Sequence, residues 1–265
     1  MKLKLLFLSL CTAVSVLGAS AHADAAHLED IQKRGVLLVG TTGDYKPMSY
    51  LNPQSGQYEG FDTALSQLLA QSLHVSVRYV PTTWKSLTAD TKAGRFDVAM
   101  SGITRTLDRE QVMNMSDGYI VFGKTILCRQ SDSSRFHTLS DMNKKSVRVM
   151  VNPGGTNEKF ARAFLPQSTL IIHEKNAEIP NLIAEGKADI MITETMEAAH
   201  YIKADSRLSA PLLDQPFTKN QFGILTQKGD QDFLNYLNFF LHEMELNGTI
   251  EKLEVSISSD ILSII

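Results

Sequence analysis

A chain of 265 residues, 43% hydrophobic and 21% charged, has an ordinary globular balance and enough length for one or two cores. Its formal net charge of −3 gives no reason to expect nucleic acid or an anionic membrane as partner. No Cys/His spacing suggests zinc, and the chain has no calcium loop, P-loop or Gly-x-Ser-x-Gly elbow.

Residues 1–23 read as a secretory signal peptide. Lys2 and Lys4 give a basic start, Leu5 to Leu17 an apolar centre, and Ala21-His22-Ala23 a small-residue cleavage site. The apolar centre is too short to remain as an anchor, so the mature chain is expected in the periplasm, without a membrane tether. Cys128 is then the one mature cysteine, expected as a buried small hydrophobe rather than a nucleophile.

Leu28 to Lys33 predicts a short helix ending at Gly35, and Val36 to Val39 a strand. In the next segment Phe61, Ala64, Leu65, Leu68, Leu69 and Leu73 share one face of a helix. Val75 to Val80 alternates as a strand, Trp84 to Ala93 reads as a helix ending at Gly94, and Phe96 to Met100 as a buried strand. The pattern then repeats. Val147 to Val151 is a strand, Thr156 to Phe164 a helix, Thr169 to His173 a strand, Glu178 to Glu185 a helix and Ile190 to Thr193 a strand. The segment from Gly94 to Met100 has a near echo in Gly186 to Ile192. Such alternation predicts an α/β protein of two lobes, each a mainly parallel sheet flanked by helices, around a central cleft. Residues 24–125 and 216–265 are assigned to the first lobe and 126–215 to the second. The last part, with a helix from about Asp232 to Leu246, returns to the first lobe.

Ligands in open α/β sheets sit beyond the carboxyl ends of the strands. The informative residues gather there: Thr42 to Tyr45, Ser101 to Arg109, Asn152 to Thr156 and Thr193 to Glu197. Asn152-Pro153-Gly154-Gly155 breaks the strand before it, and Thr156 stands where a helix N-cap belongs. A strand, a glycine turn and a helix start leave backbone N–H groups pointing one way, a nest for a carboxylate or phosphate.

Glu59-Gly60-Phe61-Asp62, Ser101-Gly102-Ile103-Thr104, Leu107-Asp108-Arg109 and Gly186-Lys187-Ala188-Asp189 resemble the periplasmic amino-acid-binding proteins, two-lobed, hinged receptors of transport systems. Within that group, Thr41 to Pro47, Met100 to Ile103 and the run Val151 to Ala163 resemble the cyclohexadienyl dehydratases. These are exported enzymes that convert prephenate to phenylpyruvate and L-arogenate to L-phenylalanine on the receptor fold. The resemblance covers nearly all of the mature chain. It implies Glu197 as the general acid, Arg109 as the clamp on the ligand's carboxylate, and Tyr45 and Trp84 as aromatic walls around the ring. Ser101, Thr104, Asn152, Gly155 and Thr156 are the expected hydrogen-bond donors; Lys124 and Lys159 are expected to be solvated. Glu194 stands where the family has Asp, and an acid there is expected to pair with a ligand ammonium. No metal or cofactor is called for, because loss of water and carbon dioxide makes the ring aromatic and needs only a proton and fixed orientation. The alternative is a receptor that delivers an amino acid to a transporter without chemistry. It shares the fold, the cleft and Arg109.

Overall fold

The structure, a computed structural model, describes residues 28–258; the segment expected to be a signal peptide lies outside them. Two five-stranded sheets carry the architecture. In the first, the spatial order is Ser76–Pro81, Val36–Thr41, Val98–Ala99, Leu225–Thr226 and Asn114–Met115. In the second it is Thr169–Ile172, Arg148–Val151, Ile190–Glu194, Lys124–Arg129 and Leu208–Ser209. Three strands of each sheet run parallel, and the fourth is antiparallel to its neighbours. Each sheet is therefore mainly parallel, with one strand reversed. The cause is the path of the chain: each antiparallel strand enters its sheet directly from the stretch between the lobes. Two such stretches run side by side, Ile120–Phe122 pairing with Asn220–Phe222 as an antiparallel ribbon.

The echo between Gly94–Met100 and Gly186–Ile192 has a structural cause. Asp97 accepts the backbone N–H of Leu38 at 2.7 Å, and Asp189 accepts that of Arg148 at 2.8 Å. Each carboxylate thus ties the start of its lobe's third strand to the first, and each also takes an arginine, Arg34 or Arg148. The Glu59-Gly60-Phe61-Asp62 run works similarly. Asp62, buried at the start of the helix Phe61–Ser72, accepts the N–H of Gly102 at 2.5 Å and the hydroxyl of Tyr119 at 2.7 Å. It thereby fixes the turn after the strand Val98–Ala99, at the cleft.

Helices flank both sheets because their apolar faces have the 3.6-residue period. The helix Gln231–Leu246, N-capped by Asp230, buries Phe233, Leu237, Phe240 and Leu241 in one core with Leu37, Val39 and Phe61. Burial of each such side chain contributes roughly 1.5–3 kcal/mol. Cys128 is fully buried, and burial pushes its thiol up to about 12, as suits a core position. The helix expected from Trp84 starts only at Leu87. Thr83 and Ser86 exchange side-chain and backbone hydrogen bonds there, and this turn competes with a first helical turn. No described helix is long and apolar enough to cross a membrane.

Candidate functional site

The strand ends converge as the topology requires, and the two lobes meet over them. Tyr45 donates its hydroxyl to Glu194 at 2.9 Å, and Asn176 donates to the carbonyl of Asp44 at 3.3 Å. At the rim, Lys85 pairs with Glu174 at 3.1 Å and Lys159 with Asp108 at 3.0 Å. Gly154 has φ +81, and a Cβ there would lie 2.7 Å from the Cα of Lys85. The glycine turn of one lobe therefore rests directly on the backbone of the other, an approach that a side chain would block.

Between the lobes lies a small cavity of about 20 Å³. Tyr45, Trp84 and Thr104 line it from the first lobe, and Asn152, Gly155, Thr156 and Glu194 from the second. Asn157 and Asn176 complete the second-lobe wall. Trp84 is fixed by its indole N–H on Asp44 Oδ1 at 3.0 Å and stands edge-to-face with Tyr45 at 6.0 Å. Asn152, almost fully buried, makes no side-chain hydrogen bond to the described residues, so its amide is available to the cavity.

Three of the expected site residues sit behind this wall. Ser101 is fully buried and spends its hydroxyl on Thr42, 2.8 Å from Thr42 Oγ1 and 3.2 Å from its nitrogen. It shapes the loop that carries Tyr45. Arg109 is half-buried and donates to the Thr104 carbonyl at 2.6 Å, so its guanidinium backs the Thr104 side of the cavity. Burial lowers it to about 10, which leaves it cationic at neutral pH. Glu197 is 0% exposed in the helix Thr195–Ala204. Its Oε1 accepts from Asn176 at 2.7 Å and its Oε2 from Thr193. It therefore lies one hydrogen bond behind the cavity surface. Burial, and then the charge of Glu194, push its carboxyl well above the ordinary carboxylate range.

Two expectations are corrected. Thr156 is not the N-cap: Gly155 occupies that position, and Thr156 is the first residue of the helix Thr156–Phe164. Its hydroxyl, not bent back onto its own helix, instead accepts from the Lys124 ammonium at 2.8 Å and lies 3.4 Å from Thr104 Oγ1. The Gly154 N–H is taken by Glu158 at 2.7 Å, while those of Gly155 and Thr156 donate to no described residue. Lys124 is not solvated. Only 3% exposed, it forms an ion pair with Glu194 and also donates to Asn157. The antiparallel register explains this: Lys124 opens its strand directly opposite Glu194, which closes the neighbouring one. Lys159 is exposed, as expected.

Two lobes of matching topology, closing on a small polar cavity at their strand ends, define a hinged solute-binding protein. The chain belongs to the bacterial extracellular solute-binding proteins, family 3, whose model matches residues 37–256. It is 40% identical over 234 residues to cyclohexadienyl dehydratase of Pseudomonas aeruginosa, covering 88% of this chain and 87% of that protein. Among solved structures, an ancestral amino acid-binding protein described as a precursor of cyclohexadienyl dehydratase matches with a TM-score of 0.80 and 39% identity, over 85% of this chain and 96% of that one. An ancestral cyclohexadienyl dehydratase is 49% identical over 90% of this chain and 98% of that one, with a TM-score of 0.56.

Proposed function

We propose that the protein is an exported cyclohexadienyl dehydratase that converts prephenate to phenylpyruvate. One observation carries the reading: two carboxyl groups three residues apart are given opposite environments. Glu194 has the Lys124 ammonium; Glu197 is sealed in protein, has no ion-pair partner among the described residues and lies beside the charge of Glu194. Environments that push two titratable groups apart assign an acid and a non-acid. A protonated carboxyl next to a ligand cavity serves proton donation, for which a solute receptor has no use.

In the reaction, Glu197 gives its proton to the ring hydroxyl, and the C–O bond breaks to release water. The ring carboxylate's C–C bond breaks with it; its electron pair enters the ring and carbon dioxide departs. Glu197 is left as a carboxylate and regains a proton from solvent when the cleft opens. Transfer requires the Glu197 carboxyl to exchange Asn176 for the substrate hydroxyl. Arg109, on exchanging the Thr104 carbonyl for the ligand, holds the side-chain carboxylate. The ring carboxylate faces uncharged donors, the Asn152 amide and the N–H groups of Gly155 and Thr156. Full charge on that group would stabilise the ground state and raise the barrier, since the group leaves as a neutral molecule. Tyr45 and Trp84 exclude water from the ring.

The alternative, an amino-acid receptor, is favoured by the amino acid-binding ancestor with its TM-score of 0.80. The test is incubation of the mature protein with prephenate at neutral pH while phenylpyruvate absorbance is followed. Turnover supports the enzyme; tight binding of a free amino acid with no turnover supports the receptor.

A further inference from the structure

Asp44 stands outside the lining of the cavity and has no part in the proton transfer described above. It is nonetheless the acid that reaches from the first lobe toward Glu197. Gly43, at φ +62, turns the chain after the strand Val36–Thr41, and Asp44 and Tyr45 then pair with Tyr50 and Ser49 at the cleft. The Asp44 carboxylate takes the Trp84 indole N–H at 3.0 Å. The residue also meets Asn176 of the second lobe twice. Its carbonyl accepts the Asn176 side-chain amide at 3.3 Å, and its carboxyl takes a hydrogen bond from the Asn176 backbone.

Asn176 Nδ2 divides its two hydrogens between that carbonyl and Glu197 Oε1, 2.7 Å away. A carbonyl can only accept, so Asp44 decides which end of the Asn176 amide faces Glu197. With the ends exchanged, two oxygens would stand against each other with no proton between them. Electrostatics point the same way. Glu197 is faced by Glu194 and Tyr201 from its own strand and helix, by Lys124 from the antiparallel strand, and by Tyr45 and Asp44 from the opposite lobe. Lys124 and Glu194 are paired with one another, and the Tyr45 phenol is neutral. Among these groups Asp44 is therefore the charge that the first lobe adds beside Glu197, and its sign favours the protonated carboxyl.

From this geometry we infer that Asp44 is a positioning residue for the proton donor: it holds Asn176, and through Asn176 the Glu197 carboxyl, only while the two lobes are together. The inference rests on the dehydratase reading for what the proton is used for, and goes beyond it by tying the donor's readiness to closure. An open cleft separates Asp44 from Asn176, and the donor is set as the cleft closes.

The test is carbon NMR of the mature protein labelled in its glutamate side chains. The Glu197 carboxyl is assigned by its absence from Glu197→Gln, and its titration is followed with pH. In Asp44→Asn an acceptor for Trp84 survives, the negative charge goes, and an amide donor faces the Asn176 backbone N–H. The Glu197 titration should move to lower pH. In the same variant kcat for prephenate should fall about 10–100-fold, the worth of one charge-assisted hydrogen bond, with phenylpyruvate affinity within about threefold of wild type. Trp84→Phe, which removes the indole N–H and leaves Asp44, should not move the titration. With Gly154→Ala holding the lobes apart, Asp44→Asn should shift nothing further. An unmoved titration in Asp44→Asn, an equal movement in Trp84→Phe, or an unchanged kcat where the wild type turns over prephenate overturns the inference. Should Asp44→Asn fail to fold, Asp44→Ser, which keeps an acceptor and loses the charge, is read by the same criteria. A shifted titration in a protein without prephenate turnover refutes the dehydratase and leaves the hold of Asp44 on Glu197 standing. Turnover with an unmoved titration does the reverse.

Discussion

Glu197→Gln replaces one neutral group by another of nearly the same shape, which isolates the proton. A glutamine can keep the Asn176 contact through its oxygen, and its amide can donate to Thr193, so the pocket wall should stand. What disappears is acidity, whose loss in general-acid catalysis typically costs 10²–10⁴-fold, about 2.7–5.4 kcal/mol at ~1.36 kcal/mol per tenfold. The structure argues for the upper half of that range. The other hydroxyl donors at the cavity are Thr104, Thr156 and Tyr45. Burial and the nearby carboxylates hold the Tyr45 phenol well above its ordinary range, and its proton is bound to Glu194. The Lys124 ammonium, the other acid nearby, is held by Glu194, Thr156 and Asn157. The assay is kcat for prephenate from pH 5 to 10 in both proteins. Wild-type kcat should fall as pH rises through the raised Glu197 value, while the residual activity of the variant should be flat over that limb.

Stability gives an independent reading of the same proton. The folded protein keeps it above the usual 4.5, whereas the unfolded chain loses it there. Unfolding therefore becomes easier as pH rises from about 4.5 toward the raised value, with a slope of at most ~1.4 kcal/mol per pH unit from this group. Glu197→Gln removes that slope, so its stability relative to wild type should improve steadily with pH. Asp62, raised by burial to about 6, contributes its own slope in both proteins and cancels in the difference. Retention of activity within tenfold, or a stability difference independent of pH, would refute the assignment.

Arg109→Ala should raise KM for prephenate and weaken phenylpyruvate binding by about 10–100-fold, the worth of a charge-assisted hydrogen bond of ~1.5–3 kcal/mol, read by calorimetry. Lost activity with unchanged product binding would remove Arg109 from the clamp. Gly154→Ala places a Cβ 2.7 Å from the Lys85 backbone at a φ of +81. It should hold the lobes apart, cutting kcat/KM roughly 100-fold for a displacement of about 1 Å; the folded protein itself loses only about 1–2 kcal/mol. Small-angle scattering with phenylpyruvate present should then show a larger radius of gyration than wild type. Asp189→Asn tests the second-lobe clasp. Burial raises this carboxyl, but hydrogen bonds from Arg148 and Arg129 outweigh burial and hold it at about 2. Its stabilisation is present above 3.8 and lost as pH falls toward 2. The variant should be about 3 kcal/mol less stable at pH 6 by denaturant titration, with the gap closing toward pH 2.

Elements with strong local signals were legible from the residues. The helix Thr156–Phe164 has its expected bounds because the glycine turn leaves the chain one place to start and Leu165 and Pro166 follow its end. The repeated Gly-x-x-Asp before a strand correctly marked two equivalent units, since each aspartate holds a backbone N–H of the first strand. Strand direction was not legible. Lys124–Arg129 reads the same whether parallel or antiparallel, so nothing local says that Lys124 lies beside Glu194. A lysine after a glycine is ordinarily solvated, and only the register buries this one.

The same limit explains Asn176. Lying just past the strand Thr169–Ile172, it occupies the kind of strand end where ligands gather, and that rule applied here would have marked it. What the rule cannot supply is its second function as the link between the cavity and Glu197. A general acid must be dry to keep its proton and reachable to give it away, and these demands conflict at a cavity surface. Setting Glu197 one hydrogen bond back, with an amide between it and the cavity, meets the first demand at rest. A rotation of one side chain meets the second when a hydroxyl arrives. A carboxyl on the cavity surface would be exposed to water whenever the lobes part, and would lose the burial that holds it protonated. On the dehydratase reading the acid therefore lies beneath the wall rather than on it, a depth that its place after a strand end does not reveal.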